Sequence, residues 1–272
     1  MEAQAIKTEF NVGKEFLKKI QNRMLRENKN WLCAICGGTG SGKTYSAITL
    51  ADKICKGGWN PEKHLAFTPR EFMEKVTNPK TKRGDIIIFD EAGVGMSSKE
   101  WFSIQNRLLS YVLQTFRHKN LGIIFTMPGL NLIDKSARML FHSYFETKKI
   151  LKKPKLCVLK PYDFQYNSIQ DKLYKKIPKF VDESGQLIYM PEFLVDLPKP
   201  RLIKLYEQKK TEYTDKLNRD IIAELDMQEE KKKPDTCKCS MCGKNQWRFY
   251  KKDNSWQCRQ CGNTVFTNPY AQ

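Results

Sequence analysis

The apolar and polar positions of this chain alternate between two kinds of segment. Short apolar runs at 31–36 (WLCAIC), 85–91 (DIIIFDE) and 121–127 (LGIIFTM) predict strands that are buried on both faces. Between them apolar residues recur at helical spacing, most clearly over 98–119, and predict helices. Strands that alternate with helices in this way predict an α/β fold of three layers around a mainly parallel sheet.

Two further helices are predicted outside this region. Residues 9–29 have apolar positions at helical spacing, which indicates a helix that packs on the domain or on a neighbouring subunit. Residues 200–233 predict one long charged helix whose narrow apolar stripe suits packing on the core or on a partner helix. The stripe consists of Leu202, Leu205, Tyr206, Tyr213, Leu217, Ile221 and Leu225.

The charge balance indicates a polyanionic partner. The chain has 48 Lys and Arg against 30 Asp and Glu, a formal net charge of +18. A surface this basic attracts nucleic acid first and an anionic membrane next; a composition that only keeps the protein soluble is the alternative. No apolar run approaches the ~20 residues that cross a bilayer, and the N-terminus lacks the apolar stretch of a secretory signal. We therefore expect no integral membrane segment and an intracellular, cytoplasmic protein.

Residues 37–44 (GGTGSGKT) match the phosphate-binding pattern G-x-x-x-x-G-K-[ST] in full, with a predicted strand before and a helix after. Its glycines let backbone N–H groups close around a phosphate, and the helix N-terminus adds partial positive charge. Lys43 is predicted to reach the β- and γ-phosphates, and the Thr44 hydroxyl to bind Mg²⁺. A glycine-rich turn with an ordinary surface lysine is the alternative. The predicted ATP-binding residues are Gly37, Gly38, Thr39, Gly40, Ser41, Gly42, Lys43, Thr44 and Asp90.

Asp90 and Glu91 close the most apolar strand, IIIFDE. Asp90 is predicted to hold Mg²⁺ through a water, and Glu91 to polarise the water that attacks ATP. Enzymes that phosphorylate a small molecule need no such glutamate, because the hydroxyl of the substrate attacks. The pair therefore favours ATP hydrolysis, although Glu91 could also be a surface carboxylate at a strand end.

The cysteine-rich tail predicts a zinc site. Cys239-x2-Cys242 and Cys258-x2-Cys261 are separated by fifteen residues, the spacing of two knuckles that bind one structural Zn²⁺ in a zinc ribbon. Cys237 is a spare that could replace Cys239. Between the pairs, QWRFYKKDNSWQC predicts a hairpin whose aromatic and basic residues either contact nucleic acid or pack the small ribbon core. The remaining cysteines are expected to be core or surface thiols.

Residues 31–146 resemble the FtsK/HerA-type P-loop ATPases and, among them, the zonula occludens toxin-like (Zot-like) proteins of filamentous phages and archaeal elements. The matching stretches are GGTGSGKTYSA, IIIFDEAG, LLSYVLQTFRHKNLGIIFT and LNLIDKSARML. The resemblance implies ATP-driven movement of DNA, often by a ring of subunits. It also fits the additional-strand type of sheet, in which another strand lies between the loop strand and the Asp-Glu strand. Phage members carry a membrane span, for which this sequence has no candidate.

The resemblance also implies a polar sensor, usually Gln, at the end of the strand after the Asp-Glu strand. Here that strand ends in Thr126-Met127, so Thr126 is the candidate sensor and Met127 cannot serve. Arg117 and, second, Arg138 are candidate arginine fingers that act on the ATP of a neighbouring subunit. A helix-capping role for Arg117 and a surface position for Arg138 are the alternatives.

Together the motifs predict a Mg²⁺-dependent ATPase that acts on DNA, a viral or mobile-element translocation or packaging motor. Its basic run at 148–160 and its ribbon would help to hold DNA. Two alternatives stay open: an ATP-gated DNA-binding or helicase-loader switch with slow turnover, and a membrane-associated Zot-like assembly factor. The predicted catalytic residues are Glu91, Lys43, Asp90, Thr126 and Arg117. The predicted parts are a flanking helix at 1–30, a P-loop ATPase domain at 31–198, a charged helix or linker at 199–235 and a zinc ribbon at 236–272.

Overall fold

A computed structural model describes residues 2–90, 119–133, 135–181, 185–229 and 238–269. The chain divides into two compact units, Met1–Lys209 and Lys210–Gln272. Within the described ranges, no helix combines the length and apolar character needed to cross a membrane. The helices are α1 (Glu2–Leu25), α2 (Lys43–Ile54), α3 (Pro61–His64), α4 (Pro69–Thr77), α5 (Lys135–Arg138) and α6 (Pro200–Glu229).

The strands of the first unit form one eight-stranded sheet and one two-stranded sheet. In the larger sheet the order is β10-β6-β5-β1-β4-β3-β2, with β7 paired to β6. The strands are β1 (Trp31–Cys36), β2 (Leu65–Ala66), β3 (Ile86–Phe89), β4 (Gly122–Met127), β5 (Ser143–Leu151), β6 (Leu156–Asn167), β7 (Lys172–Lys176), β8 (Lys179–Val181), β9 (Leu187–Tyr189) and β10 (Phe193–Asp196).

The parallel part of the larger sheet runs from β2 through β3, β4 and β1 to β5. The strand β4 pairs with β1 on one side and with β3 on the other, so it separates the strand before residues 37–44 from the strand before Asp90. This order confirms the predicted α/β fold and its additional strand. Since the carboxyl ends of parallel strands share one edge, the two motifs meet there.

Alternate residues of the central strands face different helices, as the period of two requires. One face packs against Phe72 and Val76 of α4, and its strand residues include Leu32, Phe89 and Phe125. The rings of Phe72 and Phe89 stack with centroids 5.2 Å apart. The helices α1 and α2 contact each other, β1 and β10. The sheet is therefore buried in its centre, which explains why its strands are continuous apolar runs.

The segment 143–176 departs from the sequence analysis, which predicted no strands there. Its residues form β5, which pairs parallel with β1, and the strands β6 and β7, which continue the sheet with antiparallel pairing. The basic run 148–160 lies on β5, on β6 and on the turn between them, and its six lysines are exposed. Antiparallel strands can keep one face exposed to water, so lysines replace apolar residues at the outward positions.

The second unit contains the end of α6 and a three-stranded antiparallel sheet. Its strands are β11 (Trp247–Tyr250), β12 (Ser255–Cys258) and β13 (Thr264–Val265). Trp247, Trp256, Phe249 and the cysteines pack together into a core of its own. Tyr250, by contrast, is exposed, with Arg248 lying 5.2 Å from its ring centroid. Part of the aromatic content therefore serves this small core.

Candidate functional site

The loop 37–42 leaves β1 and ends at the first residue of α2, as the pattern of residues 37–44 predicts. Gly42 stands at the N-cap of α2 with φ 88°, a left-handed conformation that side chains disfavour. No side chain caps the helix. The Lys43 ammonium lies over the loop and donates to the Gly38 carbonyl at 2.7 Å. The helix N-terminus and this cation together form a binding place for an anion.

Gly37 is held against the neighbouring strand β5. A Cβ atom at this position would lie 1.8 Å from Thr147 Oγ1 and 2.8 Å from Ser41 Oγ. Thr147 in turn donates to the Cys36 carbonyl at 3.3 Å. The close approach fixes where the chain leaves β1, so the first glycine of the pattern is required for packing as well as for the turn.

Asp90 lies at the end of β3 and is fully buried. Three hydroxyl groups donate to its carboxylate: Thr44 and Thr126 reach Oδ1 at 2.7 and 2.5 Å, and Tyr206 reaches Oδ2 at 2.9 Å. Within the described part of the chain no lysine or arginine forms an ion pair with it. A buried carboxylate whose described donors are all neutral hydroxyls is a place where a cation is favoured.

The contact between Thr44 and Asp90 joins the two sequence motifs. The two residues are 46 positions apart in the chain, and β4 lies between β1 and β3, the strands that precede them. The hydroxyl of Thr126, near the end of β4, donates to the same Asp90 oxygen as Thr44 does. One hydroxyl and one carboxylate, both at the carboxyl edge of a parallel sheet, are ligands that Mg²⁺ prefers.

Tyr206 of α6 is the residue of this site that the sequence analysis missed. It appeared there only as one member of the apolar stripe of a charged helix. Its ring is 2 % exposed and packs near Tyr45, with centroids 6.1 Å apart. The next residue, Glu207, accepts a hydrogen bond from Tyr45 at 2.8 Å, and burial with this carboxylate raises the pKa of Tyr45 to about 12. The start of α6 is thus fastened to α2 and to Asp90.

The four cysteines of the tail lie together in the second unit. The sulfur atoms of Cys239, Cys242, Cys258 and Cys261 are all within 4.8 Å of one another. The chain forms the same turn at each pair: the N–H four residues after the first cysteine donates back to its carbonyl, at 2.8 Å after Cys239 and 2.9 Å after Cys258. This donor set fits a tetrahedral zinc site, and the spacing of the cysteines agrees with it.

Local hydrogen bonds favour the ionised form of two of these thiols. Burial opposes ionisation of Cys239, but the N–H groups two and three residues further on donate to its sulfur, and its pKa is about 6. The equivalent arrangement lowers the pKa of Cys258. At Cys261 the N–H of Asn263 favours the thiolate, but burial and the neighbouring sulfurs outweigh it and raise the pKa to about 12. A central cation would remove that repulsion and let all four thiols ionise.

Comparison with solved structures finds two similar proteins among others. The N-terminal domain of zonular occludens toxin from Neisseria meningitidis is 18% identical, with a TM-score of 0.34, over 58% of this chain and 97% of that chain. EssC (ATPases 2 and 3) from Geobacillus thermodenitrificans is 15% identical, with a TM-score of 0.35, over 71% of this chain and 44% of that chain. No protein-family profile and no curated protein matches the chain.

The motifs of residues 31–146 resemble the Zot-like proteins, and the N-terminal domain of zonular occludens toxin is one of the similar structures. The inference about function rests on the contacts around residues 37–44. Two predicted catalytic residues, Glu91 and Arg117, lie outside the described residues, as does the spare Cys237. Arg138 is half-buried in the short helix α5.

Proposed function

We propose that this protein binds and hydrolyses ATP with Mg²⁺ and that it acts on DNA. The observation that carries the proposal is the contact of Thr44 with the fully buried Asp90 at 2.7 Å. A phosphate loop, a hydroxyl and a buried carboxylate at one edge of a parallel sheet are the parts that phosphoryl transfer needs.

Each residue has a stated role in this proposal. Lys43 and the N–H groups of the loop hold the β- and γ-phosphates, and they lower the repulsion between negative oxygens. Thr44 and Asp90 would hold Mg²⁺, which neutralises charge on the phosphate oxygens when bound. Glu91 follows Asp90 directly and orients the attacking water, whose proton it accepts. Thr126 positions Asp90 through the hydrogen bond to Oδ1.

DNA is the proposed partner because of the charge and of its distribution. The net charge is +18, and the six lysines of the run 148–160 are exposed on β5, β6 and their turn. Exposed lysines of this density release counterions when they contact phosphates, which makes binding strong at low salt. Arg248 and Tyr250 in the second unit present a cation next to an exposed ring, an arrangement that suits single bases. The proposed zinc ion holds that unit together.

A second candidate, an ATP-gated switch with slow turnover, is favoured by the end of β4. Thr126 donates its hydroxyl to Asp90, and Met127 is a buried apolar residue. Neither side chain is therefore placed as a free polar group for the γ-phosphate. A nucleotide site without that sensor would bind ATP but hydrolyse it slowly.

One measurement separates the two candidates. We would measure ATP hydrolysis by the zinc-loaded full chain with and without double-stranded DNA, beside Lys43→Ala, Glu91→Gln and the charge-matched control Lys56→Ala. For a motor, DNA stimulates turnover, and Glu91→Gln lowers it by about 10²–10⁴-fold, as the loss of a general base does. ATP-dependent DNA binding without DNA-stimulated turnover indicates the switch. Readily measured hydrolysis that is equal in wild type and Lys43→Ala contradicts both.

A further inference from the structure

A cleft of about 310 Å³ lies beside the phosphate loop, on the side of β1 away from Asp90. Gly42, Tyr45 and Ser46 form the wall on the side of the loop and α2, and Ile150, Leu156 and Leu197 line the wall on the side of the strands. The volume is at the lower end of the range for sites that bind small molecules, roughly 300–1,000 Å³. The two walls are close: a Cβ at Gly42 would lie 3.6 Å from Ile150 Cδ1.

The strand wall of the cleft is apolar where it meets solvent. Ile150 is 51% exposed and Leu197 is 46% exposed. Two large apolar side chains that face water at the mouth of one concave site indicate a ligand with an apolar surface. Lys152 and Lys155 lie at the same mouth and add positive charge.

The polar side chains of the loop wall are already engaged. Ser46 is 1% exposed, and its hydroxyl interacts with the Cys157 thiol. The Tyr45 hydroxyl donates to Glu207 at 2.8 Å. Recognition of a ligand in the cleft therefore depends mainly on apolar contact.

The position of the cleft identifies the ligand. Lys43 and Asp90 mark the end of the site where the β- and γ-phosphates lie, so the α-phosphate, the ribose and the base extend to the opposite side of the loop. On that side β1 is followed in the sheet by β5, β6 and β10. The apolar wall is built from these strands and their ends.

We propose that this cleft binds the base of the nucleoside triphosphate whose phosphates the loop 37–44 holds. The inference rests on the proposed nucleotide binding and adds the residues that recognise the base. Ile150 and Leu197 contact the flat faces of the heterocycle. Binding of the base therefore depends mainly on apolar contact.

The same walls predict weak discrimination between bases. The carboxylate of Asp196, the acidic residue of the cleft, pairs with Lys53 at 2.6 Å, and its carbonyl accepts from Thr49 at 2.8 Å. These groups are occupied and do not read the edge of a base. Apolar sites separate similar ligands by about 10–200-fold at most. ATP and GTP should therefore bind within about tenfold of each other, and both should bind more tightly than CTP because purines bury more apolar surface.

The test compares a nucleotide with a ligand that lacks a base. Calorimetric titration of the full chain would give the Kd of Mg²⁺-ATP and of Mg²⁺-tripolyphosphate for wild type and for the double variant Ile150→Gln/Leu197→Gln. The control is Ile177→Gln/Leu187→Gln, which changes residues that are 47% and 48% exposed and lie outside the cleft. Glutamine is uncharged, so the attraction for the triphosphate does not change.

We expect the double variant to bind ATP about tenfold or more weakly, the effect of losing contact with two apolar side chains. Its affinity for tripolyphosphate, and both affinities of the control, should stay within twofold of wild type. Unchanged ATP binding, or an equal loss for tripolyphosphate, overturns the inference. A difference between ATP and GTP of more than a hundredfold overturns its account of base recognition.

The design also separates failure of the cleft from failure of the nucleotide site. If tripolyphosphate binds and Lys43→Ala abolishes the binding, the loop holds phosphate. Equal affinities for ATP and tripolyphosphate would then contradict base binding in the cleft but not phosphate binding by the loop. If wild type binds neither ligand, the proposed function itself is wrong.

Discussion

Replacing Tyr206 by phenylalanine would remove a single hydroxyl from the surroundings of Asp90. That hydroxyl donates to Asp90 Oδ2 at 2.9 Å, and both residues are buried, at 2 % and 0 % exposure. The phenylalanine ring would keep the packing near Tyr45 and Phe67. The substitution therefore isolates one hydrogen bond to a carboxylate that water does not readily reach.

The expected cost follows from the charge on the acceptor. A hydrogen bond to a charged group contributes about 1.5–3 kcal/mol, and an acceptor left buried and unpaired favours the upper part of that range. With a urea dependence of about 2 kcal/mol per M for a unit of this size, the unfolding midpoint should fall by about 1 M. Tyr45→Phe is the matched control. Its hydroxyl donates to Glu207 on the exposed side of the same helix, and its loss should cost less than about 1 kcal/mol.

The assay is equilibrium urea unfolding of the full zinc-loaded chain without Mg²⁺. Tryptophan fluorescence reports the first unit through Trp31 and Trp59, which are buried there. Equal midpoints for Tyr206→Phe and Tyr45→Phe would refute the reasoning, because Asp90 would then have another donor in place of Tyr206.

Three further predictions concern the loop, a half-buried histidine and the cysteine cluster. Gly37→Ala should lower the free energy of unfolding in urea by about 1–3 kcal/mol, because the new Cβ would overlap Thr147 Oγ1. Adding Thr147→Ala should restore part of that loss. Gly57→Ala, where a Cβ meets no atom within 4 Å, should leave the stability unchanged. Burial, helped by a nearby arginine, lowers the pKa of His142 to about 4. As pH falls, the unfolded chain therefore takes up the proton before the folded chain does. The free energy of unfolding in urea should decrease by about 2 kcal/mol between pH 7 and pH 5. His142→Gln should not show this decrease. Removal of zinc by a chelator should release one ion per chain, measured by elemental analysis, and should make residues 238–269 sensitive to proteases.

The strands in the centre of the sheet could be predicted because both of their faces are buried. β1, β3 and β4 are continuous apolar runs, and the glycine loop follows β1 directly in the sequence. The strands β5 to β7 could not be predicted in this way, because one face of them is exposed to water and lysines interrupt the alternation of apolar and polar residues. Their turn, with lysines on both sides of Pro154, resembles a basic linker in sequence alone.

Tyr206 illustrates a second limit. Its place in an apolar stripe predicts packing, and it does pack, but helical spacing says nothing about which group its hydroxyl reaches. The partner, Asp90, is 116 residues away. A lone tyrosine in a stripe can be assigned to a site only when the sheet order and the path of the helix are known.

The three parts of the proposed nucleotide site therefore differ in how the chain encodes them. The phosphates are held by consecutive residues, 37–44, and the carboxylate depends on the order of β1, β4 and β3 in the sheet. The cleft is built from β5, β6 and the end of β10, which are distant in sequence from the loop 37–44 and match no known motif. Substitutions in the first two parts should lower turnover, because they touch the groups around the reacting phosphate. Substitutions in the cleft should raise Kd and leave the turnover of bound ATP unchanged, because apolar contact with the base is the same before and during the reaction.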